Sequence, residues 1–165
     1  NVKLLKDLGS RNNGDVYLGV VGPVRVGKST FIRKFMEICV LDKIENEDDK
    51  KRAIDELPTT GDGKTITTIE PKFVPSNPAN ITIENQINLN VRMVDCVGYV
   101  MKSSKGYTNE DGSPKLVKTP WFVDEIPFLE AATLGTRKVM ENHSHIGLVI
   151  TSDGSFTDFR RDEYE

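Results

Sequence analysis

Cysteine, tryptophan and histidine are scarce in this chain of 165 residues, at two, one and two copies. Two cysteines cannot make a disulfide framework, and Cys39 and Cys96 both sit in apolar stretches that read as core, so a reducing cytoplasm is the expected compartment. Long apolar runs are missing too. Nothing approaches the roughly 20 residues that span a bilayer, and the mixed segment after Asn1 does not resemble a secretion signal. A net charge of -3 gives no electrostatic case for nucleic acid or for direct binding to an anionic membrane surface. There is no internal repeat. With 37% hydrophobic and 28% charged residues, the composition is that of a soluble globular protein, and the length suits one domain with a substantial core.

What is present concentrates in eight residues. Gly22-Pro23-Val24-Arg25-Val26-Gly27-Lys28-Ser29 fills every required position of the phosphate-binding P-loop pattern. The apolar run Val16-Tyr17-Leu18-Gly19-Val20-Val21 before it reads as a buried strand. Thr30-Phe31-Ile32-Arg33-Lys34-Phe35-Met36 after it reads as a helix running to about Leu41. Glycines at 22 and 27 let the backbone curl so that successive N–H groups converge on phosphate oxygens. Lys28 is placed to neutralise β and γ phosphates, Ser29 to offer its hydroxyl to Mg²⁺, and the helix N-terminus around Thr30 adds its partial positive charge. The expected cofactors are therefore a nucleoside triphosphate and Mg²⁺.

Around this centre the chain divides simply. Residues 1–15 are polar, with Gly9-Ser10-Arg11-Asn12-Asn13-Gly14, and read as a flexible lead-in to a nucleotide-binding domain over 16–165. Asp42 to Glu56 carries eleven charges of both signs, either a solvated continuation of the helix or an excursion, and Leu57 to Gly63 is loop. Ile81–Glu84 and Leu89–Val94 alternate as strands, and Asn85-Gln86-Ile87-Asn88 between them suggests a hairpin, hence one antiparallel strand. Ser103 to Pro114 reads as loop. Pro127 opens a helix with Phe128, Ala132, Gly135 and Val139 on one face, and Ile146–Ile150 reads as a further buried strand. His143 and His145, near that helix end, read as cap or surface residues. The fold class expected is α/β: a P-loop NTPase with a mostly parallel sheet, one antiparallel strand and helices on both faces.

Two further segments fit the phosphate site. Asp95-Cys96-Val97-Gly98 ends the apolar strand through Val94, the arrangement in which a carboxylate holds Mg²⁺ and a glycine N–H approaches the γ-phosphate. Gly63 to Pro71 carries Thr65, Thr67 and Thr68 between the P-loop and Asp95, where a first switch supplies a hydroxyl to Mg²⁺. Thr68 is the first choice, then Thr67, then Thr65. Two absences matter as much. Tyr99 stands where many GTPases place the glutamine that positions water, so slow intrinsic hydrolysis is expected. Thr151-Ser152-Asp153-Gly154 follows the last strand where guanine-specific proteins carry Asn-Lys-x-Asp, which favours ATP over GTP. Arg25, inside the loop, is placed for a guanidinium to reach the β–γ bridging oxygen. A GTPase-type switch acting through a partner is the alternative reading.

Stretches across nearly the whole chain resemble one family, stage IV sporulation protein A. They are the P-loop through Ile32, Asp55-Glu56-Leu57-Pro58, Gly63-Lys64-Thr65-Ile66 with Glu70-Pro71-Lys72-Phe73-Val74-Pro75, and Val94 through Tyr99. Thr119-Pro120-Trp121, Ile126-Pro127-Phe128 through Val139, and Val149 through Gly154 complete the set. The resemblance implies a GTPase-like, TRAFAC-type fold that hydrolyses ATP to drive self-assembly into filaments forming the basement layer of the spore coat. It implies a place in the mother-cell cytoplasm at the outer forespore membrane, reached through a small membrane-anchoring peptide, with other coat proteins as partners. Lys28 would match the family's P-loop lysine, Asp95 its magnesium aspartate and Thr68 one of a threonine pair. The family pattern has two threonines before Glu-Pro, and here Ile69 holds the second place. The resemblance also implies that this chain is the N-terminal ATPase part, with middle and C-terminal regions absent.

Overall fold

The computed structural model describes residues 2–59, 69–101 and 107–153. Seven residues of extended, increasingly apolar chain form strand β1 (Asp15–Val21), and its last four positions are buried. Beside it lie β3 (Ile87–Asp95) and β6 (Ile146–Val149), both parallel to β1. A long β2 (Lys72–Ile83) pairs antiparallel with β3, giving the order β2-β3-β1-β6. A mixed α/β sheet with one antiparallel strand is thus observed as expected. A separate two-stranded piece joins β4 (Leu116–Val117) to β5 (Ile126–Pro127).

The alternation of side chains along β1 decides which helix covers which face. Leu18 and Val20 join Val91 and Met93 of β3 on one face, against Ile32, Met36 and Val40. Those three residues recur every fourth position along α2 (Lys28–Phe35) and the wider π turn Met36–Val40 that extends it. Val21 and Val94 point the other way, against Val139, where α4 (Phe128–Lys138) passes into a second π turn, Val139–His143. Helices therefore cover both faces. Phe128, Ala132, Gly135 and Val139 are all buried, as their spacing predicts.

Within residues 1–15, read as a flexible lead-in, Val2–Arg11 forms a helix, α1. Three expectations are corrected. The charged stretch after Leu41 continues neither α2 nor a bare loop. A single 3-10 turn at Leu41–Lys43 breaks the helix, and α3 (Glu47–Asp55) begins anew where the Asn46 side chain accepts from the N–H groups of Asp48 and Asp49, both at 3.0 Å. β6 is only half buried, with Val149 65% exposed, because it forms the edge of the sheet among the described strands. Cys96 is buried but Cys39 is exposed. Periodicity explains the latter: with 32, 36 and 40 facing the sheet, position 39 faces solvent.

β2 is also longer than its sequence suggests. Pro75 and Pro78 lie inside it, and the pairing with β3 slips between Val74 and Ala79. An edge strand tolerates proline because the missing N–H has no ladder partner to lose. The hairpin turn to β3 is set by Glu84 and Asn85 at positive φ, 49° and 53°, with the Gln86 N–H donating to Ile83 O at 3.1 Å. Two positive φ values in sequence match the right-handed twist of the strands they join.

Since β1, β3 and β6 are parallel, the loops that follow them emerge at the same edge of the sheet, where ligands bind in such folds. Ile32, fully buried beneath the loop after β1, anchors the helix that carries it. Ile32→Ala is expected to lower stability by about 2–5 kcal/mol. In urea this reads as a lower midpoint at unchanged slope, and an unchanged midpoint contradicts this packing.

Candidate functional site

Strand β1 delivers the glycine loop and strand β3 delivers Asp95, and register alone aligns them, since Val20 lies opposite Asp95. Beyond the strand ends the two loops stay joined. Pro23 bridges to Tyr99, and the Val24 N–H donates to Tyr99 O at 2.9 Å. The Ile150 N–H donates to Val21 O at 2.8 Å on the other side. Loop 22–29 is therefore held between the segments that leave β3 and β6.

Lys28 is the first residue of α2 and only 4% exposed. Its ammonium turns back over the loop, donating to Gly22 O at 3.2 Å and Pro23 O at 2.6 Å. Next to it, the Ser29 hydroxyl donates to Asp95 Oδ2 at 2.7 Å, across 66 residues of sequence. Among the described residues the second carboxylate oxygen, Oδ1, is buried with no hydrogen-bond partner. Gly98 closes this arrangement from above. At φ 94° it lies so close that a Cβ there would stand 2.3 Å from both Gly22 O and Lys28 Nζ.

The structure thus brings together Lys28, Ser29, Asp95 and Gly98, as expected from sequence. Of the remaining loop residues, Gly22 and Pro23 are buried and Val24 and Val26 half-buried, while Arg25, Gly27 and Thr30 are exposed. Among the described residues a Cβ on Gly27 would meet nothing within 4 Å. Thr68, Thr67 and Thr65 lie outside the described residues.

Burial acts on both charges. It lowers the pKa of Lys28, with Cys96 and the nearby Asp95 opposing it. It raises the pKa of Asp95 above its ordinary 3.8, against the Ser29 hydrogen bond and the Lys28 charge. An uncompensated carboxylate oxygen beside a serine hydroxyl fits a small hard cation. Mg²⁺ suits this donor set because it keeps most of its waters and takes one or two protein oxygens. No group of three His, Cys, Asp or Glu side chains able to hold a metal is present among the described residues. Burial also raises the pKa of the Tyr99 hydroxyl and the Cys96 thiol, so neither is an ionised base or nucleophile at neutral pH.

Three participants were not visible in the sequence. Lys72 lies opposite Asp95 in register and its charge favours the ionised carboxylate; the prolines of β2 hide that strand. The carbonyl of Tyr99, not its side chain, ties down the loop, and no residue pattern encodes a backbone contact. Ile69, 1% exposed, donates its N–H to Lys118 O at 2.9 Å. It packs with Val117, Phe128, Ala131 and Ala132, against which Val97 and Val100 also lie.

A carboxyl whose pKa is raised by folding contributes stability in its protonated form, present below the unfolded pKa and lost as pH rises through the folded value. At neutral pH Asp95 therefore destabilises the ligand-free protein. Asp95→Asn is expected to raise its melting temperature at pH 7 by about 2–4 °C, the equivalent of ~1 kcal/mol for this size, and the gain should shrink toward acid pH. A lower melting temperature at pH 7 contradicts it. Gly98→Ala, with its Cβ driven against Lys28, is expected to weaken triphosphate binding at least about tenfold, and unchanged affinity by titration calorimetry contradicts the closeness of Gly98 to the loop.

The comparisons with known proteins agree with one another. The family model described as "Stage IV sporulation protein A, ATPase domain" matches residues 1–165. The chain is 53% identical over 163 residues to stage IV sporulation protein A of Bacillus subtilis (strain 168), and 52% identical over 163 residues to that of Bacillus anthracis. It is 51% identical over 164 residues to that of Clostridioides difficile (strain 630). Each match covers 99% of this chain and 33% of the relative, so the chain spans about a third of the length of the curated relatives it matches. No solved structure matches it. With identity above half to the Bacillus and Clostridioides proteins and a family model matched from end to end, the chain belongs to the stage IV sporulation protein A family, as a match to its ATPase domain.

Proposed function

We propose that this domain is a GTPase-like, TRAFAC-type P-loop NTPase that binds ATP with Mg²⁺ and hydrolyses it slowly. In the intact protein that turnover drives self-assembly of the spore coat's basement layer. The observation that carries this reading is the buried set of Lys28, Ser29 and Asp95, with one carboxylate oxygen unsatisfied and Gly98 pressed against the lysine. The ammonium donates to two loop carbonyls, which phosphate oxygens would replace with stronger, charge-assisted partners. Loop N–H groups and the start of α2 would hold the phosphates. Ser29 and Asp95 would hold Mg²⁺, and Thr68 is proposed as the third oxygen donor. When bound, the ion supplies neutralisation of phosphate charge.

Slow turnover is inferred from Tyr99, whose hydroxyl is protonated at neutral pH as any ordinary tyrosine is, with burial raising its pKa further. It can neither accept a proton from water nor present an amide as glutamine does. The choice of ATP rests on Thr151-Ser152-Asp153 after β6, which lacks the lysine of the guanine-reading run. The sporulation role rests on the family. Partnership with a membrane-anchoring peptide and other coat proteins, in the mother-cell cytoplasm at the forespore membrane, is proposed for the intact protein on the same ground.

Phosphate release by the intact protein is expected to fall about 10²-fold or more in Lys28→Ala and to be lost similarly in Asp95→Ala. If either variant releases phosphate as fast as the parent, hydrolysis does not occur at this site. In competition binding, excess GTP is expected to leave ATP bound, whereas equal or tighter GTP binding would favour a GTPase switch.

A further inference from the structure

Arg25 is held in a conformation that its residue type does not favour. Its φ is +65°, in the left-handed region that glycine or asparagine enters at lower cost. The side chain is exposed, and among the described residues it makes no hydrogen bond or ion pair. It therefore contributes nothing visible to the folded, ligand-free state. Its neighbours fix where it stands. Val24 is tied to Tyr99 O at 2.9 Å, the Val26 N–H reaches Pro23 O at 3.4 Å, and Gly27 beyond leaves open space. An unpaired guanidinium thus stands at the crest of a loop whose other side chains are apolar apart from Lys28 and Ser29. Lys28 is buried beneath, facing inward.

Resting on the ATP reading above, we propose that Arg25 is a catalytic residue that supplies, from within the loop itself, the positive charge needed at the leaving group. In the step it serves, a water oxygen bonds to the γ-phosphorus while the bond from that phosphorus to the β–γ bridging oxygen breaks. The bridging oxygen keeps the electron pair and leaves as part of ADP. Inorganic phosphate forms, and the surplus proton of water passes to solvent. Negative charge grows on the bridging oxygen during this step and is absent from it in bound ATP. A guanidinium there stabilises the transition state more than the ground state. It stays protonated throughout and gives up no proton. With Tyr99 unable to position water as a glutamine does, turnover depends on charge stabilisation, and Arg25 supplies the cation that Lys28 alone does not.

The distinguishing variant is Arg25→Gly, because glycine suits the observed φ. In the intact protein it is expected to melt no lower than the parent and to bind ATP within about threefold of it. Its kcat should fall about a thousandfold, and added guanidinium ion should restore part of the rate. Affinity for ADP with aluminium fluoride, a mimic of the transferring phosphoryl group, should drop by a similar factor, which a binding titration reads without turnover. A kcat within about twofold of the parent, or undiminished affinity for the mimic, would overturn the proposal while leaving ATP hydrolysis standing. A parent protein that releases no Lys28-dependent phosphate would overturn both.

Discussion

A buried lysine and a buried aspartate stand close together at the end of an apolar sheet, and the residues around them compensate neither fully. The Lys28 ammonium donates to two carbonyls of the loop that carries it, and Asp95 has one oxygen bonded to Ser29 while the other lacks a hydrogen-bond partner among the described side chains. Burying ionised groups in this way lowers stability unless a partner of opposite charge arrives. The rest of the fold makes the arrangement possible. Parallel β1 and β3 set Val20 opposite Asp95, α2 is fixed to the sheet by Ile32 and Met36, and Tyr99 O holds the loop in place.

The layout of this candidate site was legible in the sequence because each of its parts is local: strand, glycine loop and helix follow one another, and Asp95 ends an apolar strand. The α4 face was legible for the same reason, since a 3.6-residue period shows in Phe128, Ala132, Gly135 and Val139. What escaped was set by tertiary position. An apolar run such as Ile146–Ile150 looks alike in the centre of a sheet and at its edge, and only the neighbours decide. Pro75 and Pro78 argue against a strand unless it is known to be an edge. Gly9 and the polar residues around it concealed α1, which packs against β1 and β3. Cys39 sits between apolar Ile38 and Val40, and only the helical period turns it outward. Lys72 and the Tyr99 carbonyl reach the site only through pairing.

The segment that carries Gly98 continues into the second apolar cluster, which Ile69 also joins. Ile69, one residue past the proposed switch threonine, and Val97 and Val100, on either side of Gly98, converge on Val117, Phe128, Ala131 and Ala132. A change at Gly98 therefore reaches α4 through close-packed side chains, which do not deform continuously. The candidate site thus has a direct physical connection to an outer helix.

If loop 22–29, Asp95 and Gly98 form one nucleotide site, hydrogen–deuterium exchange of the protein with and without ATP and Mg²⁺ will show it. Slowed exchange is expected at the amides of 22–30 and 95–99, with the outer surface of α3 unchanged. Exchange at 22–30 that is indifferent to saturating ATP would contradict it.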